Sequence, residues 1–398
     1  MKLVMSLLGI VVILGLLWLL SWDRKNVNWK LVIKALLVQT VLAIIIVKIP
    51  LGQKLVTIAS DGVTAVVNCG KDGLEFVFGD LADGSRFSVF VVQSLGGIIF
   101  VSALINLLYY VGAVGFVVKW LGRGVGKLMG TTEVESFVAV ANMFLGQTSS
   151  PVLVSKYIGN MTDSEIFVIL VSGMGSMEVS ILAGYNACGI PMEYLLIASV
   201  MVPIGSILVS KIVLPEKEVA KSIKDVSMDN KGNNNNVIDA IAEGAATGMQ
   251  MVISIAASLV AIIGLVALVN MILGMGNLSL TKIFSYVFAP FGFLLGLDVQ
   301  DALLEGALLG QKMMMNEFVA FGDLGTKIAN LDPRTGMIAS ISLAGFANLG
   351  SLGICVSGIA VLCPEKKSTL SRLVFKAMLG GMLVSVLSAT IVGIVALF

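Results

Sequence analysis

Long apolar runs separated by short polar turns dominate the chain. Crossing a bilayer as a helix takes about 20 apolar residues. The first run is followed by Trp22-Asp23-Arg24-Lys25 and not by a small-residue cleavage site, so it is interpreted as a retained span and not as a signal peptide. We predict an all-α polytopic protein of the lipid bilayer with about eight transmembrane helices. The candidate spans are residues 3–20, 31–50, 89–117, 165–187, 192–213, 251–275, 335–363 and 374–397.

One polar segment interrupts this pattern inside an apolar region. Asn142–Pro151 contains Asn, Gln, Thr and two Ser, is broken by Gly146 and ends in Pro. Backbone freed from helical hydrogen bonds at membrane depth is tolerated only where it is buried in protein or lines a wet cavity. Such a Gly/Pro interruption is typical of a transporter binding site. The alternative is a Pro-capped loop outside the membrane.

The polar stretches suggest how the chain is divided. Residues 51–88 mix charged and apolar positions, as an interfacial amphipathic helix with a loop does, and residues 214–237 have the composition of a flexible polar linker. We predict mainly scaffold in 1–117, a first transport repeat in 118–213, a linker with an interfacial helix in 214–250, a scaffold span in 251–276 and a second transport repeat in 277–398.

The basic residues give an orientation. With eight crossings their four clusters fall on one side, provided that residues 132–160 and 299–324 do not cross. We therefore predict that these two segments are re-entrant hairpins. The positive-inside rule then places the clusters in the cytoplasm and both termini outside. The clusters are Arg24, Lys25, Lys30 and Lys34; Lys119, Arg123 and Lys127; Lys217, Lys221, Lys224 and Lys231; and Lys366, Lys367, Arg372 and Lys376.

A weak internal repeat accompanies the two predicted hairpins. Leu145-Gly146-Gln147 in the first corresponds to Leu309-Gly310-Gln311 in the second, and a Gly/Ser-rich span follows each. Three predicted spans separate the equivalent points. An odd number inverts the second repeat, which is an architecture of many secondary transporters. Chance similarity between apolar helices is the alternative.

The composition excludes several function classes. Of the 398 residues, 57% are hydrophobic and 13% charged, and none is histidine. Without histidine there is no Ser-His triad, His-liganded zinc or His proton relay. The net charge of +1 argues against a nucleic-acid partner. The four cysteines show no metal spacing, and no Walker A motif occurs, so energy from ATP would have to come from another subunit. We expect no cofactor.

Polar side chains at comparable predicted depth form a candidate site for a neutral solute with many hydroxyl groups. Carboxylate and amide groups suit vicinal hydroxyls, and Gln and Thr suit the edge of a heterocycle. An acid at membrane depth is a functional candidate by default. Glu317 has a structural alternative as a partner of Lys312, and Glu178 as a partner of a hairpin backbone. The serines could equally be packing residues and Phe346 a core residue. The candidates are Gln147, Thr148, Ser149, Glu178, Glu317, Phe346, Asn348 and Ser351.

A second candidate site would hold Na⁺. An amide, a hydroxyl and unwound backbone carbonyls suit a hard cation. These groups are offered by Asn142 and Ser176 with the carbonyls of Leu145 and Met177.

Three motifs in order resemble the concentrative nucleoside transporters over nearly the whole chain. They are Asn-x-x-x-Gly-Gln-Thr-x-x-Pro at Asn142–Pro151, Asn-Glu-Phe at Asn316–Phe318 and Gly-Phe-Ala-Asn at Gly345–Asn348. The resemblance implies a homotrimer whose mobile transport domain works by an elevator movement, and Na⁺ or H⁺ as coupling ion. It implies Gln147 and Thr148 at the nucleobase, Phe346 against the nucleoside, and a ribose site made of Glu317, Asn348 and Ser351. It also maps the family's sodium site onto Asn142, Leu145, Ser176 and Met177.

One position departs from that family. Ser149 stands where the family usually has Glu at the base end of the site, and Glu178 is a possible substitute carboxylate. A shift toward purine nucleosides is therefore a hypothesis. The prediction is a cation-coupled nucleoside importer of the bacterial cytoplasmic membrane, with Na⁺ favoured over H⁺. The alternatives are a membrane-embedded enzyme using Ser149 or Ser150, and an ion channel.

Overall fold

The computed structural model describes residues 1–83, 89–217 and 234–398, and the regular structure in these ranges is helical throughout. The predicted all-α class is confirmed. The α-helices are α1 (Lys2–Leu20), α2 (Trp29–Val47), α3 (Pro50–Phe78), α4 (Asp80–Asp83), α5 (Gly97–Tyr110), α6 (Ala113–Met129), α7 (Glu133–Ser149), α8 (Ser155–Ile158), α9 (Asp163–Gly175), α10 (Val179–Ala187), α11 (Met192–Val213), α12 (Val237–Gly274), α13 (Leu280–Leu294), α14 (Val299–Met314), α15 (Glu317–Gly325), α16 (Pro333–Leu343), α17 (Leu349–Leu362) and α18 (Lys367–Val395).

Eight helices of the described chain are long and apolar enough to cross a membrane, as predicted, but the set differs from the prediction. The segment Glu133–Ile158, which lies in a predicted hairpin, is long and apolar enough to cross a membrane. By contrast, Leu349–Leu362, in the predicted span 335–363, is a shorter apolar helix. The span predicted at 89–117 ends at Tyr110, because Gly112 adopts φ +84° and turns the chain into α6. The span predicted at 251–275 is part of a 38-residue helix that begins at Val237.

Two parts of the predictions lie outside the described residues. They are 84–88, at the end of the predicted interfacial segment, and 218–233, most of the predicted linker with Lys221, Lys224 and Lys231. The described part of the predicted interfacial segment, 51–83, contains α3, a 29-residue helix that exposes most of its side chains, and the short helix α4.

Two of the predicted spans are broken. The chain leaves helical geometry after Gly175 and resumes at Val179, and it does so again between Leu343 and Leu349. The N-cap position of each second helix is a polar residue, Glu178 in one case and Asn348 in the other. Broken helices leave backbone groups free of intrahelical partners, which suits a ligand site.

The segment from Thr132 to Thr162 begins and ends at the same carboxylate. The Thr132 hydroxyl donates to Glu165 Oε1 (2.8 Å), and the Thr162 backbone N–H donates to Glu165 Oε2 (3.0 Å). A straight helix of this length would separate its ends by roughly 45 Å at 1.5 Å per residue. Gly146, at φ 71° and ψ −179°, breaks the helix inside the segment.

Residues 299–325 form two helices that contact each other. The Gln311 side-chain amide in α14 donates to Asp323 Oδ2 in α15 (3.2 Å). The start of α14 also lies beside the start of α16, because the Thr335 hydroxyl in α16 donates to Asp301 Oδ2 in α14 (2.8 Å). Before it, α13 and α14 meet at a bend of 118°.

Three of the basic clusters lie at one end of the molecule. Lys217 pairs with Asp23 (2.7 Å) and lowers the pKa of that carboxyl, and the Lys376 ammonium donates to the Leu20 carbonyl and lies over the Trp22 ring. Lys366 reaches the Met161 carbonyl at the end of the first hairpin segment.

The opposite end brings other segments together. The Arg334 guanidinium donates to the carbonyls of Leu295, Gly296 and Gly393, and Ser6 near the N-terminus also donates to Leu295. The two ends of the chain therefore approach the same side, away from the basic clusters.

The two halves correspond in a different register from the one predicted. The broken spans start at residues 163 and 333, and their second helices are capped at 178 and 348, a constant separation of 170 positions. On this register Gly146 corresponds to Asn316 at the second break. Gly310 instead lies inside α14, packed against Phe284, so the proposed match of Gly146 with Gly310 is wrong.

Candidate functional site

All eight predicted substrate-site residues line one cavity of about 460 Å³. This volume lies in the range of sites for small molecules. The cavity lies where the break in α7, the start of α15 and the two broken spans meet. Its lining includes Gln147, Thr148, Ser149, Glu178, Glu317, Phe346, Asn348 and Ser351.

Glu317 is a fixed acceptor in this cavity. It is the first residue of α15, and the Asn316 side chain caps that helix by accepting from the Val319 N–H (3.0 Å). The Tyr185 hydroxyl donates to Glu317 Oε1 (3.1 Å), and the Asn348 amide donates to Oε2 (3.0 Å). Each carboxylate oxygen keeps a lone pair for a ligand hydroxyl.

The pairing of Glu317 with Lys312 that the sequence left open is not found. The Lys312 ammonium donates to the carbonyls of Ser342 (3.0 Å) and Ala344 (2.7 Å). It lies within 4.0 Å of no carboxylate in the described ranges 1–83, 89–217 and 234–398. Glu317 is therefore held by neutral donors.

Asn348 and Ser351 are arranged by the second broken span. Asn348 Oδ1 accepts the Ser351 backbone N–H (2.9 Å) and so caps α17, while the Asn348 amide group faces Glu317. Gly345, at φ +96°, makes the turn that precedes Phe346, which lines the cavity. The start of α17 thus fixes Asn348 and Ser351 within one turn of chain.

The other side of the cavity is built around Gly146. A side chain at this position would come within 2.7 Å of Glu178 Oε2, and its φ of +71° favours glycine. Glu178 Oε1 accepts the Ser180 hydroxyl (2.7 Å). Next to the break, Gln147 Oε1 accepts from Cys355 Sγ (3.2 Å), which holds the Gln147 amide group in place.

All four predicted sodium ligands are buried: Asn142, Leu145, Ser176 and Met177. The Asn142 amide N–H donates to Ser172 Oγ (2.8 Å), while its carbonyl oxygen is buried without a hydrogen-bond partner in the described structure. The Ser176 hydroxyl is at the end of α9 and donates to the Gly173 carbonyl. A buried acceptor left without a donor among neutral oxygens fits a hard cation.

Sequence reasoning missed one wall of the cavity. It is a face of α12, for which the sequence carries a signal, since its polar residues recur three or four positions apart in an apolar helix. Tyr185 and Cys355 were also missed, because an isolated Tyr or Cys in a span gives no signal of its own. The α12 face consists of Thr247, Gln250, Met251, Ser254, Ile255, Ser258 and Ile262.

A second cavity of about 330 Å³ adjoins the first. The two share Ser149, Glu178 and Thr247 in their linings. The second continues to Asn234 and Glu243 at the start of α12.

Comparison with known proteins agrees with this geometry. The family described as Na⁺ dependent nucleoside transporters matches with its C-terminal part at residues 194–393 and its N-terminal part at residues 8–81, and a nucleoside recognition domain matches residues 91–192. The chain belongs to the concentrative nucleoside transporter family. It is a nucleoside transporter and an integral membrane protein, and not an enzyme.

Individual relatives of this transporter match over nearly its full length. The nucleoside permease NupC of Helicobacter pylori is 34% identical, covering 98% of this chain and 97% of NupC. An uncharacterized transporter of Haemophilus influenzae is 38% identical, covering 99% of this chain and 98% of the relative. The solved structure of CNTnw in an inward-facing substrate-bound state is 36% identical, with a TM-score of 0.94 and 99% of both chains covered. The solved structure of a doubly substituted CNTnw in an outward-facing state has a TM-score of 0.95, with the same identity and coverage.

Proposed function

We propose that this transporter imports nucleosides together with Na⁺ across the bacterial cytoplasmic membrane. The observation that carries the proposal is the cavity in which Glu317, oriented by Tyr185 and Asn348, faces the Gln147 side of the broken α7. A carboxylate with free lone pairs binds the vicinal hydroxyls of ribose. The Gln147 amide and the Thr148 hydroxyl bind the edge of the base.

The base end of the cavity supports a preference for purine nucleosides. Ser149 is short and leaves room for a two-ring base, and Glu178 supplies a carboxylate that lines the same cavity. Guanine and hypoxanthine present N–H donors that a carboxylate accepts, and guanine presents two side by side. Glu178 Oε1 has one donor, Ser180, and retains acceptor capacity.

Sodium coupling is supported by the unpartnered Asn142 carbonyl oxygen. Asn142 and Ser176, with the carbonyls of Leu145 and Met177, would hold the ion at the broken ends of α7 and α9. A bound cation would offset the partial negative charge of the α9 C-terminus. Because these breaks also carry Gln147 and Glu178, ordering them favours substrate binding, and by linkage substrate favours Na⁺.

We propose that residues 132–160 and 299–324 enter and leave the membrane on the same side. The first is supported by its two ends meeting at Glu165, and the second by the contact of Gln311 with Asp323. The transport parts, 118–213 and 277–398, then move as a unit against the scaffold, 1–117 and 251–276, in an elevator movement.

The orientation and assembly complete the proposal. The end that carries Lys217, Lys366 and Lys376 faces the cytoplasm, which leaves both termini outside. The second cavity continues from the site toward the start of α12, which supports a conformation open to the cytoplasm. We also propose that copies associate as a homotrimer, with the apolar hollow of about 660 Å³ between α3, α5 and α12 at their interface.

Binding of a nucleoside panel to the purified transporter tests the site. Guanosine, inosine, adenosine, uridine and cytidine are compared in NaCl and in choline chloride. We expect purine nucleosides to bind most tightly. Every nucleoside that binds should have an affinity at least about tenfold higher in NaCl than in choline chloride. Equal affinity in choline chloride would remove the sodium coupling, and tighter binding of uridine and cytidine would remove the purine preference.

A further inference from the structure

One face of α12 carries a row of polar side chains. They recur three or four positions apart, which brings them onto the same side of the helix. From the first to the last the row is about 22 Å long, at 1.5 Å per residue. This row, the α12 stripe, consists of Glu243, Thr247, Gln250, Ser254 and Ser258.

The α12 stripe is a wall of both cavities. Glu243 lines the smaller cavity of about 330 Å³, and Thr247 lines both cavities. The other three members line only the larger cavity of about 460 Å³, whose lining also includes Glu317. A nucleoside bound at Glu317 therefore has the stripe as one of its walls.

Most members of the stripe have free hydrogen-bonding groups. Serine and threonine inside helices often donate to a carbonyl of the preceding turn, as Ser340 does to the Gly336 carbonyl (2.7 Å). Polar groups that line a cavity without a protein partner are available to water or to a ligand. Within residues 1–83, 89–217 and 234–398 no hydrogen-bond partner is found for the side chains of Thr247, Gln250, Ser254 and Ser258.

The stripe stops part-way along α12. Beyond Ser258 the same face continues with Ile262, Leu265 and Val269, whose side chains offer no hydrogen bond. The polar part lies toward the Val237 end of the helix, which the proposed orientation places in the cytoplasm. A substrate site displaced along α12 away from that end would face apolar side chains.

We propose that Gln250, Ser254 and Ser258 form hydrogen bonds with the bound nucleoside only while the transport part lies where this structure places it. Because α12 belongs to the scaffold, the stripe stays behind when the elevator movement carries Glu317 along the helix. Contacts made in one position and lost in the other raise the affinity for nucleoside in the first position, so bound nucleoside favours that position. The inference rests on the proposed elevator movement.

Binding to a locked transporter tests the contact. The oxidised pair Gly97→Cys/Ala183→Cys holds the transport part in this position, because Cβ atoms at the two residues lie 3.5 Å apart. In this background Gln250→Met, Ser254→Ala and Ser258→Ala are combined, and the affinities for guanosine and uridine are measured in NaCl. We expect the triple variant to bind the preferred nucleoside at least about tenfold more weakly than the locked parent, since it loses three neutral hydrogen bonds.

The matched control is Ser357→Ala in the same locked background. The Ser357 hydroxyl is exposed, donates to the Gly353 carbonyl of its own helix (2.8 Å) and lines neither cavity. Its removal should leave the affinity unchanged. Equal affinities of the triple variant and this control would overturn the proposal. If the triple variant does not fold, the three single variants decide: each should bind about two- to tenfold more weakly, and three unchanged affinities contradict the proposal.

The rate of disulfide formation tests the dependence on position. With limiting oxidant, nucleoside should speed the link between positions 97 and 183 in the parent pair more than in the triple variant, each at a saturating nucleoside concentration. The reason is that bound nucleoside favours the position in which these residues meet only through contacts that the variant lacks. The same effect of nucleoside in both proteins would overturn the one-sided contact.

These measurements separate the inference from the elevator movement on which it rests. Uptake that persists across the closed link would refute the movement, whatever the triple variant binds. A closed link that stops uptake, together with a triple variant that binds nucleoside as the locked parent does, would refute only the role of the α12 stripe.

Discussion

Gly345 packs directly against Gly175, the residue 170 positions before it. A Cβ atom on Gly345 would lie 2.6 Å from the Gly175 carbonyl oxygen. When a residue touches its own counterpart, the axis that relates the two halves passes close to the contact. The breaks of both spans therefore meet near the centre of the protein, and the polar groups that follow them, including Glu178 and Asn348, face the same cavity.

The first prediction concerns the acid of the ribose site. Glu317→Gln retains the size of the side chain but replaces one acceptor oxygen with a donor that faces Tyr185 or Asn348. We expect nucleoside uptake to fall at least about tenfold, since a hydrogen bond to a charged group contributes about 1.5–3 kcal/mol. Tyr185→Phe leaves the carboxylate in place and should have a smaller effect. Uptake unchanged in Glu317→Gln, measured at equal protein in the membrane, would remove Glu317 from the site.

A second prediction tests the base end. Ser149→Glu restores the acid usual in the family and fills the space proposed for a two-ring base. Competition assays should show the preference moving from purine toward pyrimidine nucleosides by about tenfold. Glu178→Gln should weaken guanosine binding more than uridine binding. If both variants keep the wild-type order of nucleoside affinities, neither residue determines which base is preferred.

The third prediction concerns Gly146. Gly146→Ala places a Cβ atom 2.7 Å from Glu178 Oε2 at a backbone φ of +71°, so the break must rearrange. We expect uptake to fall at least about tenfold, because a misplaced binding group costs of this order. The control is Gly124→Ala, at an exposed helical position with no atom within 4 Å, which should transport normally. Normal transport by Gly146→Ala would mean that the break is not part of the site.

The fourth prediction tests the elevator movement with two engineered disulfides. A Cβ on Gly97 in the scaffold would lie 3.5 Å from the Ala183 Cβ in the transport part. A Cβ on Gly126 would lie at the same distance from the Ser136 Cβ, and both of these residues belong to the transport part. Both pairs suit a disulfide. Oxidised Gly97→Cys/Ala183→Cys should stop uptake until it is reduced.

Two controls accompany the disulfide experiment. The oxidised pair Gly126→Cys/Ser136→Cys should keep transporting, because it joins residues that move together. The parent protein, with its four native cysteines, should not respond to the oxidant. Uptake that persists across a fully formed link between positions 97 and 183 would exclude movement between these two parts.

The sequence was sufficient for some features of the site and insufficient for others. Asn316, Glu317 and Asn348 could be placed because polar residues at predicted membrane depth are costly and mark function. Tyr185 could not, since its hydroxyl acquires a role only through contact with Glu317, 132 positions away.

The register of the repeat was also beyond the sequence. Leu145-Gly146-Gln147 and Leu309-Gly310-Gln311 share letters, but only the first is a chain break. The true counterparts, such as Asn142 and Lys312, differ in residue type, since one is neutral and the other carries a basic group. Matching letters therefore cannot find them. The polar stripe on α12 was readable but was divided by a predicted boundary at residue 251.

Accumulation in proteoliposomes tests the central claim most directly. The purified transporter is reconstituted with an inward Na⁺ gradient, and the guanosine concentration inside is compared with that outside over time. We predict that guanosine rises well above the external concentration and falls back when an ionophore collapses the Na⁺ gradient. Guanosine that never exceeds the external concentration, with or without the gradient, would contradict the account.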